Sequence, residues 1–168
     1  MPQMRALTTD ILAIPPMHKL PHTIFPLAMA AVLTCATACR NTARYYVFQP
    51  VNPQGWLCTD TLRFEVPPDS TAEAHTFSLE VRFTNEVAYQ GLWLVLERRT
   101  LPPKRDTLYL PLATENGEWD AGGVVFHEAS AVCTTSPLPS DASLQLLVYH
   151  IMPEQELRGV NEVGVKVE

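Results

Sequence analysis

Cys39 is the residue whose surroundings specify a chemistry. It follows Ala36-Thr37-Ala38, and those small residues follow an almost wholly apolar run from Ile24 to Leu33. A short basic segment, an apolar run of about ten residues and a small-residue cleavage site describe a secretory signal peptide. A cysteine directly after that site offers the thiol that bacterial lipoprotein processing joins to diacylglycerol as a thioether. The run is too short to cross a bilayer, which takes about 20 residues, and Pro21 and Pro26 interrupt it. Ala36 stands where Leu is more usual before such a cysteine, and Cys35, preceded by Thr34, is a poorer second candidate. Met17-His18-Lys19 makes a better basic start than the mildly polar segment from Met1 to Pro16, so Met17 is a candidate for the true initiator.

Few other residues combine into a reactive set. The histidines after Cys39 are His75, His127 and His150, widely separated in the chain. With Cys133 they could reach a zinc ion, yet none has the close ligand spacing of such sites. Glu128, beside His127, would point to the opposite face of a strand. Glu118 and Asp120 could hold calcium or exchange protons, but beside Trp119 they read as solvated turn residues. No G-x-S-x-G, H-E-x-x-H, P-loop or dinucleotide fingerprint occurs. The expectation is a protein without enzyme activity, metal or cofactor. Trp56, Trp93 and Trp119 could line a glycan-binding face, because aromatic rings stack on pyranoses. The plainer reading is core packing, since Trp93 lies in the most apolar stretch and the other two adjoin turns. Cys58 and Cys133 are left over, and in an exported chain two thiols invite a disulfide. The alternative is two separate thiols that pack as small apolar residues.

The elements that must position these groups read as strands. Arg44-Tyr45-Tyr46-Val47-Phe48 is aromatic and β-prone, then Pro50 and Pro53 enforce a bend. Leu62, Phe64 and Val66 alternate with charged residues, as do Phe77, Leu79, Val81 and Phe83 with Ser78, Glu80 and Arg82. Such alternation predicts half-buried antiparallel strands with one wet face. Leu92-Trp93-Leu94-Val95-Leu96 is continuous, which suits a central strand covered on both sides. Leu108, Leu110 and Leu112 alternate again, and Asn116-Gly117 marks a tight turn. Gly122-Gly123-Val124-Val125-Phe126 could add a short strand, and Ala72 to His75 a single helical turn. Leu144 to Ile151 is strongly β, and Val163, Val165 and Val167 share one face of a closing strand. About eight short strands with proline and glycine punctuation predict an all-β fold, a single antiparallel β-sandwich.

Removing 38 of the 168 residues leaves 130, enough for one domain with an ordinary core. That part keeps 10 of 12 Lys/Arg and 17 of 18 Asp/Glu, a formal charge of −7. A dispersed acidic surface argues against nucleic acid and against a polybasic grip on anionic lipid. Membrane attachment would come from acyl chains, of which one alone binds only marginally and more than one holds. The expected organisation is a signal peptide over 1–38, a lipid-anchored tether and lead-in strand over 39–55, and the sandwich over 56–168.

Several short motifs then occur in order. They are Gly55-Trp56 with Asp60-Thr61-Leu62-Arg63-Phe64, and Leu79-Glu80-Val81-Arg82-Phe83-Thr84-Asn85. Tyr89, Leu92-Trp93-Leu94 and Asp106-Thr107-Leu108 follow, then Gly117-Glu118-Trp119-Asp120-Ala121-Gly122. His150-Ile151-Met152 and Leu157-Arg158-Gly159-Val160-Asn161-Glu162-Val163-Gly164-Val165 end the series. In this order, after a lipoprotein-type signal, they resemble the gliding-motility lipoprotein GldH family of Bacteroidetes-type bacteria. The family's Tyr-Pro-Tyr turn is reduced here to Ala88-Tyr89-Gln90, and its Gly-Trp-x-Gly motif is stretched to Trp119-Asp120-Ala121-Gly122. The resemblance implies a non-enzymatic cell-envelope lipoprotein tied to gliding and its associated secretion machinery, with no catalytic residues to carry across. The expected partners are the membrane, through acyl (palmitate-type) chains on Cys39, and other envelope proteins. A surface glycan-binding lipoprotein is the alternative. Arg40-Asn41-Thr42-Ala43-Arg44 after the cysteine lacks the acidic residues common in surface-exported lipoproteins, which favours an outer-membrane anchor facing the periplasm.

Overall fold

The computed structural model describes residues 43–119 and 123–168. Cys35, Cys39 and the signal segment lie outside the described residues, as do Asp120, Ala121 and Gly122. The described residues hold ten strands and no helix: β1 (Tyr45–Pro50), β2 (Trp56–Leu57), β3 (Leu62–Val66), β4 (Ala74–Thr84), β5 (Gly91–Arg98), β6 (Lys104–Pro111), β7 (Phe126–Pro137), β8 (Leu144–His150), β9 (Glu156–Leu157) and β10 (Val160–Val167). One antiparallel sheet runs β1-β10-β4-β7, a second runs β3-β8-β5-β6, and β2 pairs with β9 in a two-stranded ribbon. At the margins β1 lies near β3 and β7 near β6, so the two large sheets stack as a sandwich. The lead-in strand β1 is an integral member, paired along its whole length with β10 from Tyr45 opposite Val167 to Pro50 opposite Glu162.

Side chains directly opposite across a ladder share a face, and the register sorts the sequence alternation into core and surface. Phe77, Leu79, Val81 and Phe83 of β4 meet Val163, Val165 and Val167 of β10 on the inner face. From the other sheet come Phe64 and Val66, Leu92, Leu94 and Leu96, Leu108 and Leu110, and Leu144, Leu146 and Val148. All are buried in a single cluster. Burying a side chain of this size contributes roughly 1.5–3 kcal/mol each, which sets the register against slippage.

The strands divide the molecule into two ends. β1 begins, β3 ends, β4 begins and β5 ends at one of them, called here the tether end. Arg44 is fixed at this corner: its N–H donates to the Val167 carbonyl at 2.8 Å and its guanidinium to the Pro68 carbonyl at 2.6 Å. The far end carries β2, β9, the Asn116-Gly117 turn and the start of β7.

Three details differ from the sequence expectations. β5 is buried on both faces except at Trp93, which points outward, is 47% exposed and pairs opposite Tyr109. Val124 and Val125 lie in a bend, and the strand that follows is the twelve-residue β7. Its inward residues are His127, Ala129, Ala131 and Cys133, too small and polar to register as an apolar alternation. Ala72 to His75 forms no helical turn, because Ala72 adopts φ 57° and β4 begins at Ala74.

Candidate functional site

The family-type motif residues gather into four clusters, three of them structural. At the far end Trp56 is fully buried against His150, their rings T-shaped at 5.1 Å. The Trp56 indole N–H donates to the Asp60 carbonyl at 3.0 Å, so Asp60 acts through its backbone and its side chain stays exposed. His150 Nδ1 accepts the Met152 N–H at 3.3 Å, leaving Nε2 to donate to the Trp56 carbonyl at 3.0 Å. This pattern requires a neutral imidazole, and burial lowers the His150 pKa from its ordinary value of 6.5. Met152 Sδ in turn accepts the Trp93 N–H at 3.2 Å.

A second knot closes the core beside it. Trp119 packs edge-on against Phe83 at 5.3 Å and lies 5.4 Å from His127, whose Nε2 is 2.7 Å from Asn85 Oδ1. Gly117 makes the preceding turn with φ 81°, and Gly159 carries φ 82° where its carbonyl accepts the Thr84 N–H. The third cluster lies inside the sandwich towards the tether end. There Arg98, almost fully buried, donates to Asp106 at 2.8 Å, and its Nε has no hydrogen-bond partner. The Cys133 thiol faces this pair; burial, then the Asp106 charge, pushes its pKa up to about 11. Cys133 is therefore a poor nucleophile. Cys58 is exposed and Cys133 half-buried, and the two are not joined to each other here.

The fourth cluster lies on an open sheet face and borders a concavity. On the outer face of the β1-β10-β4-β7 sheet, Pro50, Glu162, Arg82 and Glu128 form one cross-strand row. Arg82 donates to Glu128 at 2.8 Å and to Glu162 at 2.9 Å, and its guanidinium lies 3.8 Å over the Phe48 ring. Those two carboxylates raise the Arg82 pKa further, so the charge is permanent. Phe48 can lie flat there because Gly164 is beneath it; a Cβ at Gly164 would come within 2.7 Å of the ring. Behind it Tyr46 donates to Glu80 at 2.7 Å, and this bond pushes the phenol up to about 12. Towards the far end the row opens into a groove of about 580 Å³, walled by Pro50, Val51 and Pro53 on one side and Phe126 on the other. Phe126 is 67% exposed and Val124 and Val125 continue the apolar rim.

The groove is apolar in its walls and ionic in its floor. It holds no nucleophile–base pair: His127 turns inward to Asn85 and Trp119. Among the described residues no group of three or more His, Cys, Asp or Glu could hold a metal ion. The three tryptophans do not share a face, for Trp56 is in the core, Trp119 caps it, and Trp93 alone is exposed with Tyr109 on the other sheet. Glu118 and Asp120 do not form a described pair, since Asp120 lies outside the described residues. Arg82 and Gly164 are motif residues; Phe48, Glu128 and Phe126 were not legible as partners because they are brought in by strands distant in sequence.

A family model described as GldH lipoprotein matches residues 43–167. No curated protein and no solved structure matches the chain.

Proposed function

The chain belongs to the GldH lipoprotein family, and from that premise we propose that it is a non-enzymatic, lipid-anchored module that binds another envelope protein through the Arg82 groove. The groove carries this reading. It lies towards the end of the sandwich opposite Arg44, where the chain leaves towards Cys39, and so would face away from an anchoring membrane. In this reading Cys39 carries the acyl chains, the anchor is in the outer membrane with the domain facing the periplasm, and the bound protein belongs to the motility and secretion apparatus that the family name suggests.

The floor is suited to specificity and the walls to affinity. An exposed Arg82 between two carboxylates contributes little to folding but presents a fixed pattern of charge, which rejects partners of the wrong pattern. Phe126 is the type of exposed aromatic anchor on which binding energy concentrates. The test is affinity capture from solubilised membranes with the full-length protein and its Phe126→Asp variant, with cross-linking beforehand. Wild type is expected to bring down specific envelope proteins that Phe126→Asp loses, both proteins having equal thermal stability. Recovery of wild type as a free monomer, or equal capture by the variant, overturns the reading.

A further inference from the structure

We propose that the β5–β6 loop, residues 99–103, is a second membrane contact, which inserts at the lipid headgroups while the acyl chains on Cys39 hold the opposite corner of the same end. The proposal rests on the lipid-anchored reading above. Its first observation is Leu101, which is 100% exposed at the loop tip and followed by Pro102-Pro103. An isolated exposed leucine is ordinary; its setting is not. Residues 97–106 carry Arg98, Arg99, Lys104 and Arg105 against Glu97 and Asp106, a net charge of +2 in a domain that is otherwise acidic. Glu97 is shared between Arg99 at 3.2 Å and Arg105 at 2.6 Å, so one of those two cations is left over, and Lys104 is exposed beside them. Glu73 and Asp141 in neighbouring loops keep the end as a whole from being basic, so the contact is confined to this loop and led by its apolar tip.

The second observation is where the chain leaves. Arg44 is fixed at the tether end by Val167 and Pro68, and it lies 3.5 Å from Asp69. Asp69 is itself held as a carboxylate below its usual range, first by the Thr71 N–H. Five residue steps from Cys39 to Arg44 reach at most about 18 Å, whereas the eleven residues of β4 span roughly 35 Å. A lipid on Cys39 therefore keeps the Arg44 corner within about 18 Å of the membrane. β5 and β6 lie at the margin away from β1, about three strand spacings or roughly 14 Å across. Two contacts at that separation would hold the sandwich upright.

The loop backbone is suited to a poorly hydrated position. Pro102 and Pro103 have no N–H to leave unpaired. The Pro102 carbonyl accepts the Thr100 hydroxyl at 2.7 Å, and the Thr100 N–H donates to the Arg98 carbonyl at 2.8 Å. One leucine with two basic neighbours binds lipid only weakly when free. Tethering makes the second contact intramolecular, so a weak interaction suffices.

The experiment reconstitutes full-length, acylated protein into vesicles of brominated phosphatidylcholine containing phosphatidylglycerol. Wild type is compared with Leu101→Trp and with Asn116→Trp at the far end. The Trp introduced at position 101 is expected to be quenched several-fold more than that at 116, and adding Lys104→Glu should reduce the quenching in anionic but not in neutral vesicles. Equal quenching at 101 and 116 overturns the proposal, as does a position 101 that is unquenched in lipid yet cross-links to a protein in membranes. Detergent-phase partitioning of the same preparation separates the two readings. A protein that stays in the aqueous phase sinks the anchored reading itself, whereas one that partitions into detergent without quenching at 101 sinks only the second contact.

Discussion

Arg98 occupies the position in β5 where the inward row of Leu92, Leu94 and Leu96 asks for another apolar side chain. The strand alternation alone therefore marks it as a buried charge, but nothing in the sequence around it names Asp106 as its partner. The pair meets because β5 and β6 form a hairpin in which Arg98 faces Lys104 and Leu96 faces Asp106. Asp106→Ala leaves a buried guanidinium uncompensated and should cost about 3 kcal/mol or more, whereas Arg98→Met with Asp106→Leu should be neutral or stabilising. Urea denaturation of the three proteins checks the order. His150 supplies a pH dependence with a definite sign. Burial lowers its folded pKa below the unfolded value, so the unfolded chain takes up the proton first and the fold loses stability as pH falls below about 6.5. The lowered carboxyl pKa values of Asp69 and Glu97 place their own losses in a more acidic range. His150→Phe should cost about 1–3 kcal/mol at pH 8 by stranding the Met152 N–H and Trp56 carbonyl. It should also flatten the fall in urea midpoint between pH 7 and pH 5.5. A variant with the wild-type slope would show that another group titrates there.

At the scale of elements, β3, β4, β6 and β10 were legible from apolar alternation, and β1 and β8 from their β-prone composition. β7 was not, because it is an edge strand whose inner row of His127, Ala129, Ala131 and Cys133 is small or polar and lies beside the bulkier Phe83, Val81 and Leu79 of β4. The ribbon of β2 and β9 is also invisible to periodicity, with two residues per strand. Trp93 is the exception within β5: Val95 and Glu97 on the same face are buried, but Trp93 over Tyr109 is left partly in solvent. The link between β9 and β10 makes the sharpest backbone demand. Gly159 has φ 82°, and a Cβ there would lie 2.5 Å from the Val87 N and 2.8 Å from the Glu86 carbonyl carbon. Backbone cannot swing aside as a side chain can, so Gly159→Ala should destabilise by more than about 2 kcal/mol. Gly164→Ala meets only the movable Phe48 ring and should cost less while displacing that ring from Arg82. Thermal melts of the two variants should keep that order; the reverse would mean that the turn relaxes more easily than the sheet face.

For the molecule as a whole, the position of β10 is the controlling fact. It is last in the chain yet sits second in its sheet, between β1 and β4, and it supplies Val163, Val165 and Val167 to the core. The sheet therefore cannot close until β10 is in place. Pairing Tyr45 with Val167 also makes the contacts predominantly non-local, and such folds typically form on the order of milliseconds to seconds. Deleting residues 161–168 removes the partner of two strands at once and opens the core along its length. That protein should show no cooperative urea transition, by either far-UV circular dichroism or Trp fluorescence. Deleting only the edge strand β1 leaves β10 paired with β4, and should lower the midpoint while preserving a single transition. In the intact domain both probes should report one midpoint, because Trp56 at the far end and the strands of both sheets share a single core. Separate midpoints would mean that the Trp56–His150 end melts on its own. The Arg82 groove, next to that end, would then be shaped by a local equilibrium rather than held rigid for its partner.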